Sequence, residues 1–252
     1  MSAALSLCVI TRDASALLDA CLESASFADE CIVVDSGSVD DTVEIARRRG
    51  ARVIAQPWLG YGAQKNFAVA QASHDWVLCI DADERVTPEL AASIRRALEA
   101  PAAAAFAMPR RNRFLGRWLR HGEGYPDWNV RLFDRRRASW TQDPVHEHVV
   151  ARGKVARLAG DLLHESADSL ETYLAKQNGY TTLQAQAMHA RGERASAARI
   201  VVAPLARFVR LYFLRLGVLD GVAGLVHIAI GCHNSMIKYA KLRALQQEGS
   251  NR

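Results

Sequence analysis

Asp81 and Asp83 stand two residues apart at the end of the apolar run 76–80. In extended backbone that spacing sends both carboxylates to the same side. Two like charges about 5 Å apart repel by about 3 kcal/mol at an effective dielectric near 20. A Mg2+ or Mn2+ ion removes the conflict, because hard cations take carboxylate and phosphate oxygens together. The chemistry this supports is departure of a nucleoside diphosphate, whose growing charge a bridging metal stabilises. Carboxylates also follow two earlier apolar runs, in Thr11-Arg12-Asp13 and in Asp35-Ser36-Gly37-Ser38-Val39-Asp40-Asp41-Thr42. Acidic and hydroxyl side chains gathered in this way suit a metal or polyol site. Asp40 and Asp41 serve equally well as caps for a helix that starts at Thr42.

These residues can act together only if the chain brings them to one edge. Over the first hundred residues, short apolar runs (5–10, 31–34, 53–55, 76–80) alternate with segments of helical spacing (14–24, 41–49, 64–72, 88–100). The runs lack polar alternation, which predicts strands buried on both faces. Strand–helix repetition predicts a parallel sheet with right-handed crossovers. Ligands bind such sheets beyond the carboxyl ends of the strands, where the residues above fall. Further strands are expected at 106–109, 130–133, 145–150 and 155–163, and a helix at 168–191. Two or three helices are expected over 199–245, with a break near 217–224. The chain thus divides into a nucleotide-binding and catalytic domain, 1–165, and a helical region, 166–252. Gly60-Tyr61-Gly62 is no dinucleotide fingerprint, because a third glycine is missing and no strand ends there.

The ordered series Leu5–Asp13, Val33–Thr42, Gln64-Lys65-Asn66 and Ile80–Glu84 resembles the family 2 glycosyltransferases. The stretches Tyr125–Phe133 and Val145-His146-Glu147 resemble the branch that adds sugars to the lipopolysaccharide inner core. The resemblance implies the α/β GT-A fold, a Rossmann-like, mainly parallel mixed sheet flanked by helices, followed by a C-terminal helical appendage. It implies an inverting transfer of a hexose, glucose above all, from a UDP-sugar to a lipid-linked saccharide. By position it assigns the donor to Thr11, Arg12, Asp35, Ser36, Lys65 and Asp81. The metal falls to Asp83 with Asp81, and His164 stands where some GT-A enzymes bring a late histidine to the ion.

A single displacement needs one group to take the acceptor's proton. Asp127, His146 and Glu147 qualify, and Glu147 is favoured by its place in the family pattern. Relatives often carry Glu-Asp where this chain has His146-Glu147-His148, which keeps His146 in contention. The arginines Arg110, Arg111, Arg113, Arg131, Arg135, Arg136 and Arg137 suit an anionic acceptor or a solvated face. Trp118, Tyr125 and Trp128 suit stacking on a sugar or a place in the core. His227 and His233 lie in apolar sequence and are expected in the core.

Two other functions compete. A sugar nucleotidyltransferase shares the nucleotide-binding half, but it needs a glycine-rich basic loop after the first strand, where this chain has Thr11-Arg12-Asp13-Ala14. A non-catalytic membrane or nucleic-acid binding module fits the basic tail and leaves Asp81, Asp83 and Glu147 without a task. The five cysteines lack C-x-x-C spacing and are expected as reduced core residues in a reducing compartment. The amino terminus has no basic segment before its first apolar run, so it is expected to be a strand and not a signal peptide. The net charge is +5, and from Arg199 onward basic residues outnumber acidic ones eight to two. That balance predicts an anionic partner. Residues 216–237 are apolar but carry Asp220, His227, His233 and Asn234, so a helix lying on the membrane is expected over one crossing it. The expected location is the inner face of the cytoplasmic membrane, with no nucleic acid bound.

Overall fold

The structure, a computed structural model, describes residues 2–143, 147–165 and 169–250. Two compact units form, Met1–Arg111 with Asp127–Ala167 and Asn112–Pro126 with Asp168–Arg252. The second unit therefore takes a piece, 112–126, that the sequence places in the first.

The first unit alternates β1 (Leu5–Thr11), α1 (Ser15–Ser24), β2 (Glu30–Asp35), α2 (Thr42–Arg48), β3 (Arg52–Ala55), α3 (Tyr61–Ala70) and β4 (Trp76–Asp81). Then come β5 (Glu84–Val86), α4 (Pro88–Glu99) and β6 (Ala105–Phe114), the last running on into the second unit. β1 pairs in parallel with β2 and β4, and β2 with β3. All seven residues of β1 are buried. Leu5, Leu7 and Val9 face one apolar cluster while Cys8 and Ile10 face the other. That is how a continuous apolar run is consumed by a sheet covered on both faces. The register sets Thr11 beside Asp35 and Ile10 beside Asp81, so the polar strand ends share one rim.

After β4 the sheet turns mixed. β7 (Arg117–Trp118) belongs to the second unit, and β8 (Asp127–Asp134) pairs antiparallel with both β4 and β6. β9 (Ala138–Trp140) and β10 (Val149–Ala151) form a separate ribbon. The strand expected over 155–163 divides into β11 (Val155–Arg157) and β12 (Leu162–His164). Gly160 causes the break: its φ is +88°, and a Cβ there would stand 2.2 Å from the Leu90 backbone nitrogen. Only a residue without a side chain allows α4 to come that close. Thr87 caps α4, accepting from Leu90 N, with Pro88 in the first turn.

The second unit contains α5 (Leu170–Ala190), α6 (Ala197–Phe208), a π-helical turn (Val209–Leu214), a 3-10 turn (Gly217–Asp220) and α7 (Gly221–Ser250). The break expected near 217–224 is this pair of turns, with Leu216 at φ 55°. Asp220 is buried and accepts from the backbone N–H groups of Arg120 and His121 at 3.0 and 2.8 Å. Those bonds explain why 112–126 belongs with the helices. Lys241 of α7 donates to Asn178, Thr181 and Thr182 of α5 at 2.7–2.9 Å.

Candidate active site

Gln64, Lys65 and Asn66 show how local sequence builds the site. Gly62, in the first turn of α3, lies so close to the segment after β9 that a Cβ would sit 1.9 Å from the Thr141 carbonyl oxygen. Asn66 exchanges two hydrogen bonds with the Trp140 backbone, at 2.9 and 3.0 Å. Gln64 is fully buried and donates to the Ser36 hydroxyl at 3.1 Å and to the Gln56 carbonyl at 3.2 Å. Between them Lys65, 2% exposed, can point only along the rim.

Lys65 Nζ stands 3.0 Å from Asp81 Oδ1 and 3.0 Å from Glu147 Oε1, over the Trp140 ring at 4.5 Å. The other Asp81 oxygen receives Arg131 Nη2 at 2.8 Å. Arg131 also reaches the fully buried Glu84 at 2.7 Å, and Glu84 accepts from the Asp81 backbone N–H at 3.0 Å. Burial opposes ionisation of Asp81, yet Arg131 and Lys65 outweigh it and hold the carboxyl well below the usual range. Burial likewise disfavours the Lys65 ammonium, and Asp81 more than compensates, raising its pKa. Desolvation works against Arg131 too, and Glu84 and Asp81 overcome it so that its pKa rises.

The like charges at 81 and 83 thus find a different resolution from the one expected. Two protein cations meet the two oxygens of Asp81, Lys65 at one and Arg131 at the other. Asp83 Oδ2 lies 3.3 Å from His164 Nε2, and both side chains are partly exposed. The antiparallel pairing of β12 with β5 sets His164 opposite Glu84 and brings it to Asp83. Among the described residues no cluster of three or more His, Cys, Asp or Glu gathers for a metal. One carboxylate and one imidazole nonetheless fit Mg2+ or Mn2+, which keep several waters and take substrate phosphates as further ligands.

Asp35 is 5% exposed and saturated: Thr11 donates at 3.1 Å, the Gly37 and Ser38 N–H groups at 2.9 Å each, and the Ser38 hydroxyl at 2.5 Å. Burial opposes its charge, and these bonds overcome the penalty and depress its pKa. Thr11 is buried as well, with its hydroxyl held against Asp35. Arg12 is exposed and 3.9 Å from Asp13. Asp40 accepts from the Ser15 N–H at 3.1 Å and from the Thr42 hydroxyl, so it joins the loops after β1 and β2.

Asp127 meets Arg110 at 2.9 Å, an ion pair that engages both. His146 lies outside the described residues. Arg131, expected to face an acceptor or solvent, is instead a buried positioning group. Glu84, quoted in the sequence only as the end of a motif, and Arg131 form the buried charge pair behind Asp81. The available signal was a guanidinium between Val130 and Leu132 in an apolar strand, since a charge in that position needs a buried partner. Trp128 stacks under Arg157 at 4.4 Å. All five cysteines are free thiols, three of them buried.

The sequence model of glycosyl transferase family 2 matches residues 6–153. The chain belongs to this family. The glycosyltransferase is 30% identical to the lipopolysaccharide core biosynthesis glycosyltransferase LpsC of Rhizobium meliloti (strain 1021), over 94% of this chain and 91% of LpsC. Its fold is the GT-A arrangement of S. aureus TarS 1-349, solved in complex with UDP-GlcNAc, with TM-score 0.50 at 13% identity over 98% of this chain and 92% of that one. Glucosyl-3-phosphoglycerate synthase from Mycobacterium tuberculosis, solved with Mn2+, UDP and phosphoglyceric acid, gives TM-score 0.50 at 18% identity over 77% of this chain and 80% of that one.

Proposed function

We propose that this glycosyltransferase inverts the anomeric centre of a hexose, glucose above all, as it moves it from a UDP-sugar to a lipid-linked saccharide such as lipopolysaccharide core. The observation that carries the reading is the Lys65 ammonium held between Asp81 and Glu147 on the rim that also bears Asp35. Asp35 and Ser36 bind the nucleoside, with Thr11 and Gln64 fixing their orientation. Lys65 faces the donor diphosphate, and Asp81, clamped by Lys65 and Arg131, faces the ribose. Asp83 and His164 would hold Mg2+ or Mn2+, which supplies Lewis-acid charge to the departing diphosphate. Glu147 takes the acceptor proton, with its carboxylate placed by Lys65.

UDP as the nucleotide is supported by the UDP-GlcNAc and UDP complexes of TarS and the phosphoglycerate synthase, and a core saccharide by the name of LpsC. We place the enzyme on the inner face of the cytoplasmic membrane, because its carboxyl-terminal residues are strongly basic. No single helix among the described residues is long and apolar enough to cross a membrane, though Ala197–Leu214 and Gly217–Gln247 pass that test together across a 75° bend.

A thermal-shift screen of UDP, GDP and CDP with and without Mn2+ tests donor and metal together. UDP with Mn2+ should raise Tm, and Asp83→Ala should abolish the Mn2+ increment. Glu147→Gln should keep the UDP shift and lower transfer about 10²- to 10⁴-fold. Native transfer by that variant would remove Glu147 as the base.

A further inference from the structure

The elbow of α6, the two turns and the start of α7 exposes large apolar side chains that no neighbour in its own unit covers. Leu205 is 61% exposed, Phe213 55%, Leu214 76%, Leu219 55% and Val222 74%. Its charge is one-sided. Arg199, Arg210 and Arg215 are exposed, and the only acid between 197 and 225 is the buried Asp220. Asp220 already serves the backbone of Arg120 and His121.

A surface of apolar side chains edged by arginine alone suits a bilayer of anionic lipids, with the aliphatic groups among acyl chains and the guanidinium groups at the phosphates. It suits a second copy poorly, since two such faces would bring like charges together. The backbone at the bend is equipped for low dielectric, where polar main-chain groups must be satisfied by protein. Gly122 N–H donates to the Arg215 carbonyl at 2.8 Å, and the Arg117 guanidinium donates to the Leu219 carbonyl at 3.0 Å. The Arg215, Leu216 and Leu219 N–H groups find carbonyls within the elbow at 2.9–3.2 Å.

We propose that residues 197–225 form a wedge that enters one leaflet of an anionic bilayer and leaves on the same side, with the side chains of Leu214, Leu219 and Val222 deepest and Arg215 reaching back to the phosphates. This rests on the membrane-surface location proposed for the enzyme and names the segment, its depth and the lipid charge. The chain bends by 75° between Ala197–Leu214 and Gly217–Gln247, at the segment placed deepest.

The test is co-sedimentation of the full chain with phosphatidylcholine vesicles with or without phosphatidylglycerol. Wild type should prefer the anionic vesicles. The double variant Leu214→Asp, Val222→Asp changes two exposed side chains, so its Tm should match wild type while vesicle binding drops about tenfold or more. Arg210→Gln should weaken binding about fivefold, and only on anionic vesicles. If wild type binds and the double variant binds equally, the wedge is wrong and the membrane location survives. If wild type binds neither vesicle, both fail. A wild-type dimer that the double variant dissociates, without vesicle binding, would assign the elbow to a second copy and overturn the proposal.

Discussion

Arg131 sits inside a strand, 4% exposed, and binds two carboxylates at once, one of them fully buried. Removing a single partner from a buried ion pair leaves an uncompensated charge and costs about 3–5 kcal/mol, whereas replacing both with apolar groups is often close to neutral. Arg131→Met should therefore lower the unfolding free energy by about 3–5 kcal/mol in urea melts. Arg131→Met with Glu84→Met should recover part of that loss, since the Asp81 N–H then lacks its Glu84 acceptor, but should not transfer, because Asp81 would have lost one of its two clamps. Arg136, itself exposed although its partner Asp134 is buried, should cost less than Arg131 when changed to Met. At this scale the acidic strand ends and Lys65 were legible, because their types and order are preserved along the chain. What each carboxylate binds was not, since Arg131 is 50 residues from Asp81 and nothing local pairs them.

The central element is α3, whose docking on β9 aims Lys65. Gly62→Ala forces a methyl group into the Thr141 carbonyl, with a separation of 1.9 Å before relaxation. Overpacking of this kind costs about 1–3 kcal/mol. Tm should fall and transfer should fall with it, because the helix that carries Lys65 is displaced. Gly179, inside α5, makes the contrast, since a methyl group there would meet nothing within 4 Å. Gly179→Ala should stabilise by about 0.5–1 kcal/mol through helix propensity, with transfer unchanged. The parallel strands and the helices between them were legible from their periods. β5 and β9, three residues each, are too short to carry a period, and the split of the 155–163 strand depends on the close approach of Gly160 to α4.

For the molecule as a whole, ionisation sets the pH window of stability. Asp81, Asp35 and Asp134 have depressed pKa values, and Glu30, whose burial is outweighed by bonds from Ser6, Ser73 and Arg52, falls to about 2. Such groups stabilise above their unfolded values of about 4 and lose that contribution as pH falls through the folded ones. Burial raises the thiols of Cys8 and Cys21, and pushes Cys31 up to about 11 and Cys79 up to about 12. A raised group stabilises fully below its unfolded pKa, about 8.5 for a thiol, and loses this as pH rises through the folded value. Urea midpoints should hold level from about pH 6.5 to 8, fall below that first through His227, whose pKa burial lowers, and then through the carboxylates, and fall on the alkaline side from about 8.5, earlier than Lys65 alone would dictate. The α/β class, the edge on which the acidic residues gather and the basic apolar tail all follow from the order of residues along the chain, because burial periodicity and strand ends are local properties. Folding in three dimensions chose that Asp81 is neutralised by Lys65 and Arg131, that Asp83 meets His164, and that 112–126 joins the helices around Asp220. Each of those pairings joins residues 16 or more positions apart, and only packing selects which distant charge desolvates beside which.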